Sequence, residues 1–62
     1  MLKLADTVKI NDNGLIGEIC DISDGYCYID VDTDKLNGIE PEFMDCLFHR
    51  RIEDVTFIKS VE

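Results

Sequence analysis

Apolar residues recur along the chain with a period of two, in runs too short for helices. Thr7–Ile10 places Val8 and Ile10 on one side and Thr7 and Lys9 on the other, which predicts a first strand. The polar stretch Asn11-Asp12-Asn13-Gly14 ends it. The clearest pattern surrounds Asp24-Gly25, residue types that accept the positive φ angles of a two-residue hairpin turn. Such a turn sets Ser23 opposite Tyr26, Ile22 opposite Cys27, Cys20 opposite Ile29 and Glu18 opposite Val31. One hairpin face then carries Cys20, Ile22, Cys27, Ile29 and Val31, and the other Ile19, Asp21, Tyr26, Tyr28 and Asp30. Glu18 is the misfit on the inner face, where a bulge or bend beside Gly17 would turn it outward.

Alternation returns over 43–50, with Met44, Cys46 and Phe48 on the inner side and Asp45, Leu47 and His49 on the other. Residues 52–55 are too few for an α-helix and suit one 3₁₀ turn, since Ile52 and Val55 align at a spacing of three. A last short strand follows over 56–59. The stretch 32–42, polar and holding the only proline, reads as a loop.

Composition agrees with strands. Val, Ile and Thr total fifteen residues against one Ala and no Gln, and branching at Cβ suits a pleated surface better than a helix. Five short strands with a single 3₁₀ turn before the last, in one domain spanning 1–62, correspond to an all-β fold: a small five-stranded SH3-like barrel. The runs Asp6-Thr7-Val8-Lys9-Ile10, Gly14-Leu15-Ile16-Gly17-Glu18-Ile19 and Tyr26-Cys27-Tyr28-Ile29-Asp30-Val31 carry a family resemblance. Together with the ending Ile52-Glu53-Asp54-Val55-Thr56-Phe57-Ile58, they resemble short SH3-like and KOW-like bacterial proteins. That resemblance implies the fold. It implies no activity, because its motifs are structural glycines and alternating apolar residues.

Charge narrows the range of functions. Fourteen Asp and Glu against six Lys and Arg give a net charge of −8. An acidic surface argues against direct binding to nucleic acid or anionic lipid, both of which need positive charge. The KOW-type relatives that bind RNA or ribosomal partners tend to be basic, and this chain departs from them in sign. No apolar run approaches the ~18 residues of a membrane span, and Asp6 interrupts the amino-terminal stretch too early for a signal peptide. Three cysteines without framework spacing suit a reducing compartment, so the expected location is cytoplasmic.

Several constellations invite chemistry and fail on spacing. Asp30-x-Asp32-x-Asp34 opens like a calcium loop, but Lys35 stands where the sharp turn needs glycine and Pro41 where a bidentate carboxylate is needed. Cys20, Cys27, Cys46 and His49 are zinc-ligand types with no C-x₂-C knuckle, and the cysteines read as three small buried hydrophobes. A Cys-His nucleophile meets the same geometric difficulty, since Cys46 and His49 fall on opposite faces of one strand. His49-Arg50-Arg51, hemmed by Asp45, Glu53 and Asp54, reads as local charge balance. The expectation is a non-enzymatic protein with no catalytic residue, no cofactor and no metal.

What remains is the outward apolar set. Ile19, Tyr26 and Tyr28 share a face with Asp21 and Asp30, while Phe43 and Leu47 point away from the inner side of their own strand. They either tuck beneath the 32–42 loop or form a partner surface, since tyrosine rimmed by carboxylates is interface composition. The leading expectation is a small acidic protein-protein interaction or accessory module. Its partner-binding residues would be Ile19, Asp21, Tyr26, Tyr28 and Asp30, and its protein partner basic. A second copy covering an open edge or this tyrosine face could form a weak homodimer. The alternative is an acidic nucleic-acid mimic or inhibitor occupying the basic groove of a DNA- or RNA-binding protein. Direct RNA contact is a third, weaker reading.

Overall fold

A computed structural model describes residues 1–61. Five strands follow one another: β1 Thr7–Ile10, β2 Ile16–Ser23, β3 Tyr26–Asp30, β4 Leu47–Arg51 and β5 Val55–Lys59. They form one antiparallel sheet in the order β4-β3-β2-β1-β5. The sheet is not closed, because β4 and β5 are its two ends and do not pair. One 3₁₀ turn, Ile52–Asp54, carries the chain from β4 to β5 as expected. Two further 3₁₀ turns, Thr33–Lys35 and Met44–Cys46, lie in the long connection between β3 and β4. Among the described residues no helix is long and apolar enough to cross a membrane.

Val8, Ile10, Leu15, Ile19, Cys27, Ile29, Val31 and Phe48 make the core. Leu36 and Ile39 of the 32–42 loop pack against it, so the apolar residues of that loop cover the core. Gly17 on β2 makes close packing possible. A Cβ there would run into the carbonyl oxygen of Asp30 and lie 2.8 Å from an Ile29 methyl and 2.9 Å from one of Val31.

The β2–β3 hairpin begins as the turn dictates and then departs. Asp24 and Gly25 adopt φ of 53° and 79°, and Ser23 faces Tyr26 and Ile22 faces Cys27. A bulge then falls between Ile19 and Asp21, two residues later than the glycine suggested. It leaves Cys20 unpaired, sets Ile19 opposite Ile29 and sets Glu18 opposite Asp30. Ile19 therefore turns inward and is only 2% exposed, whereas Cys20 stands outside. Hydrogen bonds to the segment before β1 fix this arrangement: Ile19 N–H donates to the Asp6 carbonyl (2.9 Å) and the Ile19 carbonyl accepts from Ala5 N–H (2.7 Å). Asp6 is itself buried, and one of its carboxylate oxygens accepts from Lys3 N–H at 2.8 Å.

The fourth strand is shorter than its alternation suggested. Asp45 and Cys46 both take φ of 65°, a left-handed conformation that bends the chain back so that Phe43 bridges Leu47. Met44, expected inside, sits on the outside of this bend at 82% exposure, and Cys46 is half-buried. Of the three residues assigned to the inner side of that strand, only Phe48 is in the core.

Candidate functional site

The outer face of β3 and β4 carries a layer of aromatic side chains. Its origin is the register of the two strands, which sets Tyr26 opposite Arg51, Tyr28 opposite His49 and Asp30 opposite Leu47. Ile52 N–H donates to the Gly25 carbonyl and Val31 N–H to the Cys46 carbonyl, each at 3.0 Å. Those bonds fix the phase of the ladder. Tyr28 and His49 consequently form a non-hydrogen-bonded pair, the kind in which opposing side chains stand closest. Their rings stack at 4.7 Å and 21°, and Tyr26 stacks on the same imidazole at 4.6 Å and 25°. Phe43, brought over by the bend at 44–46, meets His49 edge-on at 6.0 Å and lies tilted against Tyr28 at 6.1 Å. Each such pair contributes ~1 kcal/mol beyond simple burial, so the rings hold one another in place.

The layer remains accessible. Tyr26, Tyr28 and His49 are half-buried and Phe43 is exposed. Arg51, opposite Tyr26, closes one end: its interaction with the Tyr26 phenol, and then the charges of Glu53 and Asp54, hold the guanidinium above the usual arginine range. Asp21, opposite Tyr28, and Asp30, at the end of β3, stand exposed on the flanks. Asp21 also accepts a hydrogen bond from Ile22 N–H at 2.9 Å, which fixes its orientation beside the bulge.

Of the five residues the sequence pattern proposed, Tyr26, Tyr28, Asp21 and Asp30 thus lie on or beside one outer face. Ile19 does not. The bulge at Cys20 puts it in the core, and Ile19 is corrected from surface to interior. His49 and Phe43 take its place. Sequence alternation put both on the outward side of their strand, but the long 31–46 connection left the register with β3 unreadable.

Beneath this layer a second cluster holds the β4 end of the sheet. Arg50, on the core side, donates to Asp12 Oδ2 at 2.7 Å and Oδ1 at 3.2 Å, to Glu42 Oε1 at 2.7 Å and to the His49 carbonyl at 2.8 Å. The expected balancing carboxylates were Asp45, Glu53 and Asp54. Arg51 does pair with Glu53 at 3.7 Å, but Arg50 instead joins two loops distant in sequence.

The cysteines separate, with Cys20 exposed, Cys27 buried and Cys46 between the two. Burial raises the Cys27 thiol above its ordinary value, and partial desolvation followed by the Asp30 charge raises that of Cys20. In the acidic segment, Asp32 pairs with Lys35 at 3.6 Å. Among the described residues no three His, Cys, Asp or Glu side chains converge on a metal-sized set. Compared with known proteins, the chain matches no family model, no curated protein and no solved structure.

Proposed function

We propose that this protein is a non-enzymatic docking module, an SH3-like barrel in type, that binds a protein partner through Tyr26, His49, Tyr28 and Phe43. The observation that carries this reading is the accessible, mutually stacked layer on β3 and β4. Stacked rings are already ordered, so a partner gains aromatic contact area with little further loss of side-chain freedom. Aromatic side chains are also the residues that dominate binding energy at protein interfaces. Asp21 and Asp30 beside the layer, on a chain of net charge −8, favour a basic partner and its steering to this face. Support for the SH3-like type comes from the strand order and from the one-turn link that joins the two end strands.

The test is capture of a partner by the immobilised protein from its native cell lysate, with Tyr28→Ala alongside and salt as a variable. The expected result is one or a few proteins retained by wild type and lost by the variant, with retention falling little as salt rises. Retention that collapses with ionic strength and ignores Tyr28→Ala would instead favour the acidic mimic of nucleic acid.

A further inference from the structure

We infer that the free edge of β5 is a self-association surface, and that its occupant is the β5 strand of a second copy of this chain, running antiparallel. Three observations meet there. Asn11 N–H donates to the Asp54 carbonyl at 3.1 Å, which sets the phase of the β1–β5 ladder and makes Val8–Phe57 a non-hydrogen-bonded pair. The main-chain N–H and C=O of Phe57 therefore point away from β1, toward the open edge. Apolar side chains are also left outside the core at this point. Val8 is fully buried, yet Phe57, opposite it on the same face, is 52% exposed, and Ile58 beside it is exposed as well.

The third observation is charge, and it selects a second copy over a foreign partner. On a chain of net charge −8, the stretch 55–61 carries a single charged side chain, Lys59. Two copies meeting here bring no carboxylate of β5 against another. Acidic Glu53 and Asp54 precede the strand and Lys59 closes it, so antiparallel alignment brings the acidic approach of one copy beside the lysine of the other. Such an edge-to-edge contact is two-fold symmetric and closes on itself, which stops growth at the dimer. The ladder is short. The register shift against β1 bulges β5 at Ile58, so continuous pairing is confined to the neighbourhood of Phe57 and the association is weak. The tyrosine face lies across the sheet, with β1 and β2 between it and β5, and stays free in this dimer.

Sedimentation equilibrium on the full chain at rising protein concentration tests this, with Phe57→Lys and Tyr28→Ala alongside. The expected result is a monomer–dimer equilibrium, weakened about tenfold or more by Phe57→Lys and unchanged by Tyr28→Ala. Amide hydrogen exchange on the unaltered protein gives a readout independent of any variant: protection of the Phe57 amide should grow with protein concentration. A monomer up to millimolar protein, a dimer indifferent to Phe57→Lys, a dimer lost with Tyr28→Ala, or a Phe57 amide whose exchange ignores concentration would each overturn the inference.

Discussion

On β4 the carbonyls that face away from the sheet are occupied. Leu47 accepts from Phe43 N–H at 3.2 Å, and His49 accepts from the guanidinium of Arg50. On β5, at the other end of the same sheet, the main-chain N–H and C=O of Phe57 face the open edge, where no strand among the described residues pairs. Natural sheets protect their edges with charge, bends and covering loops. Here one edge receives all three, through Arg50, the bend at 44–46 and the loop bearing Glu42, while the other receives a bulge and the single charge of Lys59. The difference also divides the surface by character. The capped strand carries the stacked aromatic layer, and the open strand offers main chain and exposed apolar side chains.

That contrast would vanish if the strands between the two edges separated, and Gly17 is where this happens most readily. Gly17→Ala drives a methyl into the β3 main chain, where no side-chain rotation relieves it. The expected cost is about 3 kcal/mol or more in a urea melt. Gly25→Ala meets open space and suffers only the strain of a φ near 79°, so it should cost less, about 1–2 kcal/mol.

The capped edge can be loosened alone. Arg50 is mostly buried, with 14% of its side chain exposed, whereas Asp12 and Glu42 keep 60% and 43% of theirs in solvent, so its loss removes charge-assisted hydrogen bonds and stem packing without leaving buried charges behind. Arg50→Ala should cost about 1 kcal/mol and leave β5 pairing intact. It should also change the response to acid. The Arg50 hydrogen bond is the first cause holding the Glu42 carboxyl below its ordinary value of 4.5. A lowered folded-state value contributes stability that is present above pH 4.5 and lost as pH falls through the folded value. Melts between about pH 6 and pH 3 should therefore show a steeper acid loss in wild type than in Arg50→Ala. Equal slopes would mean that the clamp does not form.

A smaller effect reports on β2, midway between the edges. Cys20 should react first with a thiol reagent, slowly because its thiol titrates high, then Cys46, with Cys27 reacting only on unfolding. A Cys20 that labels only on unfolding, together with Cys27, would restore the unbulged register.

Cys20 also shows how far the sequence could be read. β1, the Asp24-Gly25 turn and the 3₁₀ turn at Ile52–Asp54 were legible because each has a local cause: alternation, turn chemistry, or a spacing of three. Ile19 and Cys20 were not. Cys20 continues the apolar phase of Ile22, whereas Ile19 continues that of Leu15 and Gly17, and both phases are self-consistent within the strand. Pairing with β1 resolves them through a bulge, and nothing local announces it. The bend at Asp45 and Cys46 was equally hidden, since cysteine is not a residue that signals a left-handed turn. In the site, both tyrosines and their flanking aspartates were readable from the hairpin. His49 required a register set only by the folded 31–46 connection.

Separate action of the proposed docking face and the β5 edge is tested most directly by partner capture with two variants. With Tyr28→Ala and Phe57→Lys immobilised in parallel and both shown to be folded, the account predicts that Tyr28→Ala loses the partner while Phe57→Lys retains it at the wild-type level. Loss of the partner by Phe57→Lys, or its retention by Tyr28→Ala, would contradict the account.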